Sequence, residues 1–176
     1  MRFSLVIALM LSVCGPAAAK PFSVASPDIV NGAPAASMVL AQGYGLGCEG
    51  SNRAPVLTWS DVPAGTLSFL VTLYDKDAPT DVGFMHWVVA NVPGNATGLS
   101  ESELPSGALE PRTDMGRPGY VGICPPVGST HAYLLTVKAL NISHLPVDAS
   151  TTPALAGFLA HEHVIGTATL RFNYGR

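Results

Sequence analysis

Asp75, Asp77, His86, His131 and Tyr133 interrupt or terminate apolar runs of a 176-residue chain. Charged and ring-nitrogen groups are costly inside a strand core unless they pair or bind something, so the five form a candidate site. Asp75 and Asp77 stand two apart at the end of a run that Pro79 terminates, which lets both project to one side. His131 and Tyr133 repeat that spacing at the start of another run. Imidazoles and a phenol are donors for an oxyanion, and a carboxylate beside a histidine favours its charged form. Asp75, His86 and His131 are also a two-histidine, one-carboxylate set that could hold a transition metal, although spacing alone does not make the three converge. For acid–base hydrolysis, Asp75 and Asp77 are too close along one strand to flank a scissile bond as glycosidase carboxylates do. No G-x-S-x-G and no phosphate-cradling G-x-x-x-x-G-K-[ST] occurs, so a binding protein without a cofactor or metal is expected in place of an enzyme.

Strands must carry these residues. Residues 55–60 (PVLTWS), 67–75 (LSFLVTLYD), 84–92 (FMHWVVANV), 131–140 (HAYLLTVKAL) and 164–174 (VIGTATLRFNY) read as strands bounded by Gly, Pro, Asn or Asp. Near-continuous hydrophobicity in the middle runs predicts strands buried on both faces, and regular strand spacing points to a sandwich of two sheets. His86 precedes Trp87, so alternation predicts opposite faces for the two. One helix is signalled near the C-terminal end: Thr152 can cap, Pro153 suits the first position, and Leu155, Phe158 and Leu159 form a stripe expected to pack on the sheet, through about His163. Residues 93–130 are Gly-, Pro- and Ser-rich, a length that is often functional, with a short helix expected around residues 100–104.

Composition narrows the partners. Nine Lys+Arg against twelve Asp+Glu, with no basic run, exclude the electrostatic footprint of a nucleic-acid binder. Residues 1–19 place Arg2 before an apolar stretch and end in Ala17-Ala18-Ala19, the pattern of a cleaved signal peptide. The apolar stretch, residues 5–13, is shorter than the ~20 residues a membrane span requires. Cys14 raises a lipoprotein anchor as a rival, but Val13 stands where lipobox cysteines normally follow a small residue. The expected mature domain is therefore residues 20–176, secreted or periplasmic, with no stable membrane span. Its two cysteines, Cys48 and Cys124, favour one disulfide in an oxidising compartment, read as a staple between two loops and not a core link.

Four segments resemble a known family. Residues 74–79 (YDKDAP) look like D-P-D-A-P, and His86-Trp87 with Asn91-Val92-Pro93 looks like H-W-x-x-x-N-I-P. Residues 119–126 (GYVGICPP) leading to His131-Ala132-Tyr133 look like G-Y-x-G-P-x-P-P with H-R-Y, and residues 52–59 (NRAPVLTW) are similar to N-x-S-P-x-L-x-W. These are motifs of the phosphatidylethanolamine-binding proteins, and the likeness is to their bacterial, Raf-kinase-inhibitor-like branch. Lys76, Ala54, Ile123 and Ala132 depart from the pattern.

The resemblance implies a mainly β, antiparallel Greek-key sandwich with a small anion pocket near one end. By motif match the pocket would be formed by Asp75, Asp77, His86, His131 and Tyr133, with Pro79 and the Gly119 to Gly122 turn at its rim. The ligand would be a small anion such as phosphate or a phospholipid head group. Two other readings stand beside it: an interaction protein that inhibits a kinase, protease or host pathway through the pocket rim, and a hydrolase using the same pocket.

Overall fold

The computed structural model describes residues 20–100 and 103–176. The leader expected over residues 1–19, including Cys14, lies outside the described residues, as do residues 101 and 102 of the helix expected around 100–104. The flanking Ser100, Glu103 and Leu104 are not helical.

The strands are β1 (Ser23–Ala25), β2 (Ile29–Val30), β3 (Ala33–Pro34), β4 (Leu57–Ser60), β5 (Ser68–Asp75), β6 (Phe84–Pro93), β7 (Gly98–Leu99), β8 (Thr130–Leu140) and β9 (Val164–Gly175), with helix α1 (Pro153–Ala160) before β9. They form an antiparallel four-stranded sheet ordered β6-β5-β8-β9, a three-stranded sheet β1-β4-β7 and a hairpin β2-β3. The fold is mainly β, as expected.

The large sheet is covered on both faces. Alternate residues of β5 and β8 point to opposite sides. Phe69, Val71 and Leu73 join Leu135, Val137 and Ala139 in a core closed by Leu57, Trp59 and Leu99 of the small sheet. Leu70 and Leu140 face the other way, onto Val88, Leu145, Ala156 and Ala160. This double burial explains the continuous apolar runs of β5 and β6.

Helix α1 begins as its sequence predicts. Thr152 Oγ1 accepts from the Leu155 N–H at 3.2 Å, with Pro153 in the first turn. The buried face agrees with expectation at Leu159, which packs against the second cluster, and differs elsewhere. Ala156 and Ala160 are buried, whereas Leu155 is 46% and Phe158 75% exposed. Small alanines let the helix approach the sheet closely, and this turns the larger Leu155 and Phe158 outward.

Strand β6 carries two irregularities, and both fall on motif residues. The pairing steps from Leu73 with Trp87 to Tyr74 with Met85, leaving His86 as the extra residue of a bulge. Trp87 therefore packs in the central core, and His86 reaches the same side, its ring 5.7 Å from Tyr133. The expected opposition of His86 and Trp87 is corrected by this bulge. A second shift lies between Phe69 and Val71, where Asn91 takes a positive φ of 57°. Its side chain accepts from the Leu145 N–H at 2.7 Å and donates to the Leu145 carbonyl at 3.2 Å.

Candidate functional site

The site forms where two buried stripes change from apolar to polar at the same end of the sheet. Along β5 the core-facing series Phe69, Val71, Leu73 ends in Asp75; along β8 the series Ala139, Val137, Leu135 ends in Tyr133 and His131. Leu73 pairs with Leu135 and Asp75 with Tyr133, so the register places the polar ends side by side. Asp75 is 3% and both His86 and His131 are 6% exposed, so these groups sit in the core's end wall and not on its surface.

Hydrogen bonds orient each group. His131 Nδ1–H donates to Asp75 Oδ2 at 2.7 Å, and the Asp77 backbone N–H donates to Asp75 Oδ1 at 2.9 Å. His86 Nδ1–H donates to the Val121 carbonyl at 2.9 Å, while its Nε2 stands 4.0 Å from Asp75 Oδ2. Nδ1 of each imidazole is thereby committed to a protein oxygen. Burial lowers the His86 pKa from its ordinary 6.5, against the opposing pull of the Val121 carbonyl and the Asp75 charge. Neutral His86 with a hydrogen on Nδ1 presents Nε2 as an acceptor.

Tyr133 and Asp77 stand behind and beside this group. Tyr133 is fully buried and stacked on Phe172 at 5.2 Å, and among the described residues its hydroxyl has no hydrogen-bond partner. Burial, reinforced by the Asp75 charge, raises the phenol's pKa, so it stays neutral. Asp77 Oδ2 accepts from the Ala132 N–H at 2.8 Å and its Oδ1 from Lys76 Nζ at 2.6 Å. These bonds, the lysine's first, lower the Asp77 pKa. Asp77 thus extends the β5–β8 pairing past the end of β5 and fixes the backbone next to His131.

These residues close one part of a pocket of about 330 Å³. Asp75, Pro79, His86, Gly122 and His131 line it; Asp77, Gly119 and Tyr133 do not. The long segment between β7 and β8 supplies much of the wall. It also satisfies the free edge of β6: Leu109 exchanges backbone bonds with Ala90, the Asp114 N–H donates to Met85, and the Val121 N–H donates to His86. Gly122 must be glycine, because a Cβ there would lie 2.4 Å from Leu40 N. Asn52 holds that turn, accepting from the Gly122 N–H at 2.7 Å and donating to the Tyr120 carbonyl at 3.2 Å.

Sequence reasoning missed Arg176 and most of the apolar wall. Arg176 lines the pocket and donates to the carbonyls of Pro125, Gly47 and Leu46. It thereby ties together the two segments that carry Cys48 and Cys124. Those cysteines are joined, with Cα atoms 6.0 Å apart. Both lie outside the strands, as expected of a loop staple, but Cys48 is 4% exposed and belongs to the central core. The expectation that excluded a core link is corrected there, because the bridge packs against the apolar end of the main cluster. A single arginine after a strand carries no local signal of such a role. Among the described residues, no group of three His, Cys, Asp or Glu is placed to hold a metal ion, and no helix is long and apolar enough to cross a membrane.

Comparison with known proteins gives a consistent family. The profile described as phosphatidylethanolamine-binding protein matches residues 30–175. The chain is similar to YbhB of Escherichia coli, 46% identical over 132 residues, covering 72% of this chain and 84% of that one. It is similar to YbcL of Escherichia coli, 39% identical over 178 residues, covering 97% and 96%. The crystal structure of YbcL, described as a new member of the mammalian PEBP family, superposes with a TM-score of 0.83 at 40% identity, covering 89% of this chain and 99% of that one. LppC of Mycobacterium tuberculosis, which carries lipoprotein in its name, is 33% identical over 153 residues, covering 86% and 69%.

Proposed function

The chain belongs to the phosphatidylethanolamine-binding protein family, and from that premise we propose that it is an exported protein that binds a small anion, a phosphate or phosphorylated head group, without turning it over. One observation carries the reading: two buried imidazoles, each with Nδ1 committed to a protein oxygen, line a single pocket. Imidazolium donors beside a carboxylate meet an oxyanion with charge-assisted bonds. The Asp75 carboxylate repels a bare anion, so the ligand arrives with a proton. That proton rests on an imidazole or on the phosphate itself. Neutral His86 accepts from a protonated phosphate oxygen, and an anion already seated favours the imidazolium. Either route makes affinity rise as pH falls through the histidine range.

Export is supported by the leader-like pattern of residues 1–19, by the Cys48–Cys124 bridge and by the name of LppC.

Thermal unfolding in the presence of inorganic phosphate and of phosphorylethanolamine tests the proposal, since a ligand selective for the folded state raises Tm by mass action. The wild type is expected to gain stability with at least one of them, and His86→Ala to lose that gain while still unfolding cooperatively. No gain in the wild type at high concentration of either probe refutes anion binding.

A second reading rests on the Asp75–His131 pair, because a carboxylate orienting an imidazole is also how a general base is held. Release of phenol from phenyl phosphate by the wild type, lost in His131→Ala, would favour hydrolysis over simple binding.

A further inference from the structure

Strand β9 is an outer strand of the four-stranded sheet, and part of its outer edge is left unpaired. Asn173 pairs with Ala132, yet its N–H donates away from β8, to the Gly32 carbonyl at 3.2 Å. The Ala132 carbonyl likewise accepts from Lys76 on the opposite side, so this pair exchanges no bonds of its own. Along an antiparallel strand such pairs alternate with bonded ones, and the β8–β9 register runs unbroken from Gly175 to Gly166. Thr167, Thr169 and Arg171 therefore also turn their N–H and C=O groups away from β8. Among the described residues, none of these groups has a backbone partner.

The unpaired stretch is bounded at both ends. Gly32 of the β2–β3 hairpin takes the pairing lane at Asn173, and a bulge at Ile165 breaks the register at the other end. Between them Thr167–Arg171 reads TATLR, without the proline, bulge or covering segment that usually blocks a sheet edge. Thr167, Thr169 and Arg171 are exposed on the face where Lys138 pairs with Thr167. Among the described residues, neither Lys138 nor Arg171 has an ion-pair partner.

We propose that Thr167–Arg171 is a docking strand for an extended acidic segment of a partner polypeptide, which adds to the main sheet in antiparallel pairing with a carboxylate opposite Arg171. The proposal does not depend on the anion site. Main-chain bonds to three residues supply attachment, and alternate side chains supply selectivity. Partner residues opposite Thr169 and Arg171 lie on the open, cationic face, and those between them lie beside Ala168 and Leu170, where apolar side chains extend the core. A second copy of this chain fits less well. Its β9 carries no acid to meet Arg171, and pairing about Thr169 would bring its Ile165 to the lane that Gly32 already takes beside Asn173.

Amide ¹⁵N spectra recorded during titration with the blocked peptide Glu-Val-Thr-Val-Thr test this, since antiparallel pairing sets its glutamate opposite Arg171. The Thr167, Thr169 and Arg171 resonances are expected to move along one saturating curve. The lysine analogue Lys-Val-Thr-Val-Thr is expected to bind at least threefold more weakly, and Arg171→Glu to reverse that order. N-methylation of the middle threonine removes a pairing donor and is expected to weaken binding at least tenfold. If these amides stay in place at the highest soluble peptide concentration, if the order survives Arg171→Glu, or if the N-methylated peptide binds equally well, the docking strand is refuted. Movement of the same amides on dilution of the peptide-free protein would assign the edge to a second copy and overturn the acidic partner.

Discussion

Asp75 and His131, 56 positions apart in sequence, are joined by a 2.7 Å hydrogen bond at the closed end of the main core. The bond exists because β5 and β8 pair in a register that sets Asp75 opposite Tyr133, one alternation from His131. His86 joins this pair in the pocket, its Nε2 4.0 Å from Asp75 Oδ2.

Removing the carboxylate leaves the His131 N–H and the Asp77 N–H without their acceptor. A buried donor left unpaired costs about 1–3 kcal/mol. Asp75→Ala is therefore expected to lower Tm by several degrees, at about 2–4 °C per kcal/mol for a domain of this size, and to change phosphate affinity by releasing the His131 ring from its fixed orientation. Urea denaturation together with calorimetry checks both. A variant with wild-type stability and wild-type affinity would show that the pair has no role.

His86 sets a pH dependence of stability with a definite sign. Its folded pKa lies below the ordinary 6.5, so the unfolded chain takes up the proton first. Its contribution is complete above that value and is lost as pH falls through the folded pKa, at no more than ~1.4 kcal/mol per pH unit. Urea midpoints measured from pH 7.5 to pH 5.0 should fall in the wild type and fall less in His86→Gln. An equal slope in the two proteins would place the titration elsewhere.

The residue pattern made much of this legible. Apolar runs located β5, β6, β8 and β9 to within one residue at each end, because strands buried on one or both faces leave a strong hydrophobic signal. The polar ends of β5 and β8 stood out as exceptions to that signal. The bulge at His86 did not, since an added residue leaves no local mark and simple alternation assigned the wrong face. Leu155 and Phe158 misled because size suggested burial, whereas close approach to the sheet favoured Ala156 and Ala160. Arg176, Leu46 and Met115 enter the pocket from segments without periodicity, and only the closed chain brings them there.

The orientation of α1 has its own test. Phe158→Ser removes a side chain that is 75% exposed and is expected to change stability by less than about 0.5 kcal/mol. Ala160→Leu forces extra methylenes into a fully buried position and is expected to cost about 1–3 kcal/mol. The reverse order in denaturant midpoints would mean that the Leu155 and Phe158 face packs on the sheet.

The Cys48–Cys124 bridge spans 76 residues, a loop for which chain entropy gives about 4 kcal/mol. Reduction should lower Tm substantially. Arg176 still clamps the carbonyls of Leu46, Gly47 and Pro125, so Arg176→Ala is expected to make the reduced protein less stable again. Unchanged melting under reducing conditions would remove the bridge from the account of stability.

The most direct test watches the ring nitrogens themselves. In ¹⁵N-histidine spectra recorded during titration with inorganic phosphate, the Nε2 resonances of His86 and His131 should move together along one saturating curve, while those of His144, His161 and His163 stay in place. If neither Nε2 moves at saturating phosphate, or if only the other three histidines respond, the pocket is not the anion site.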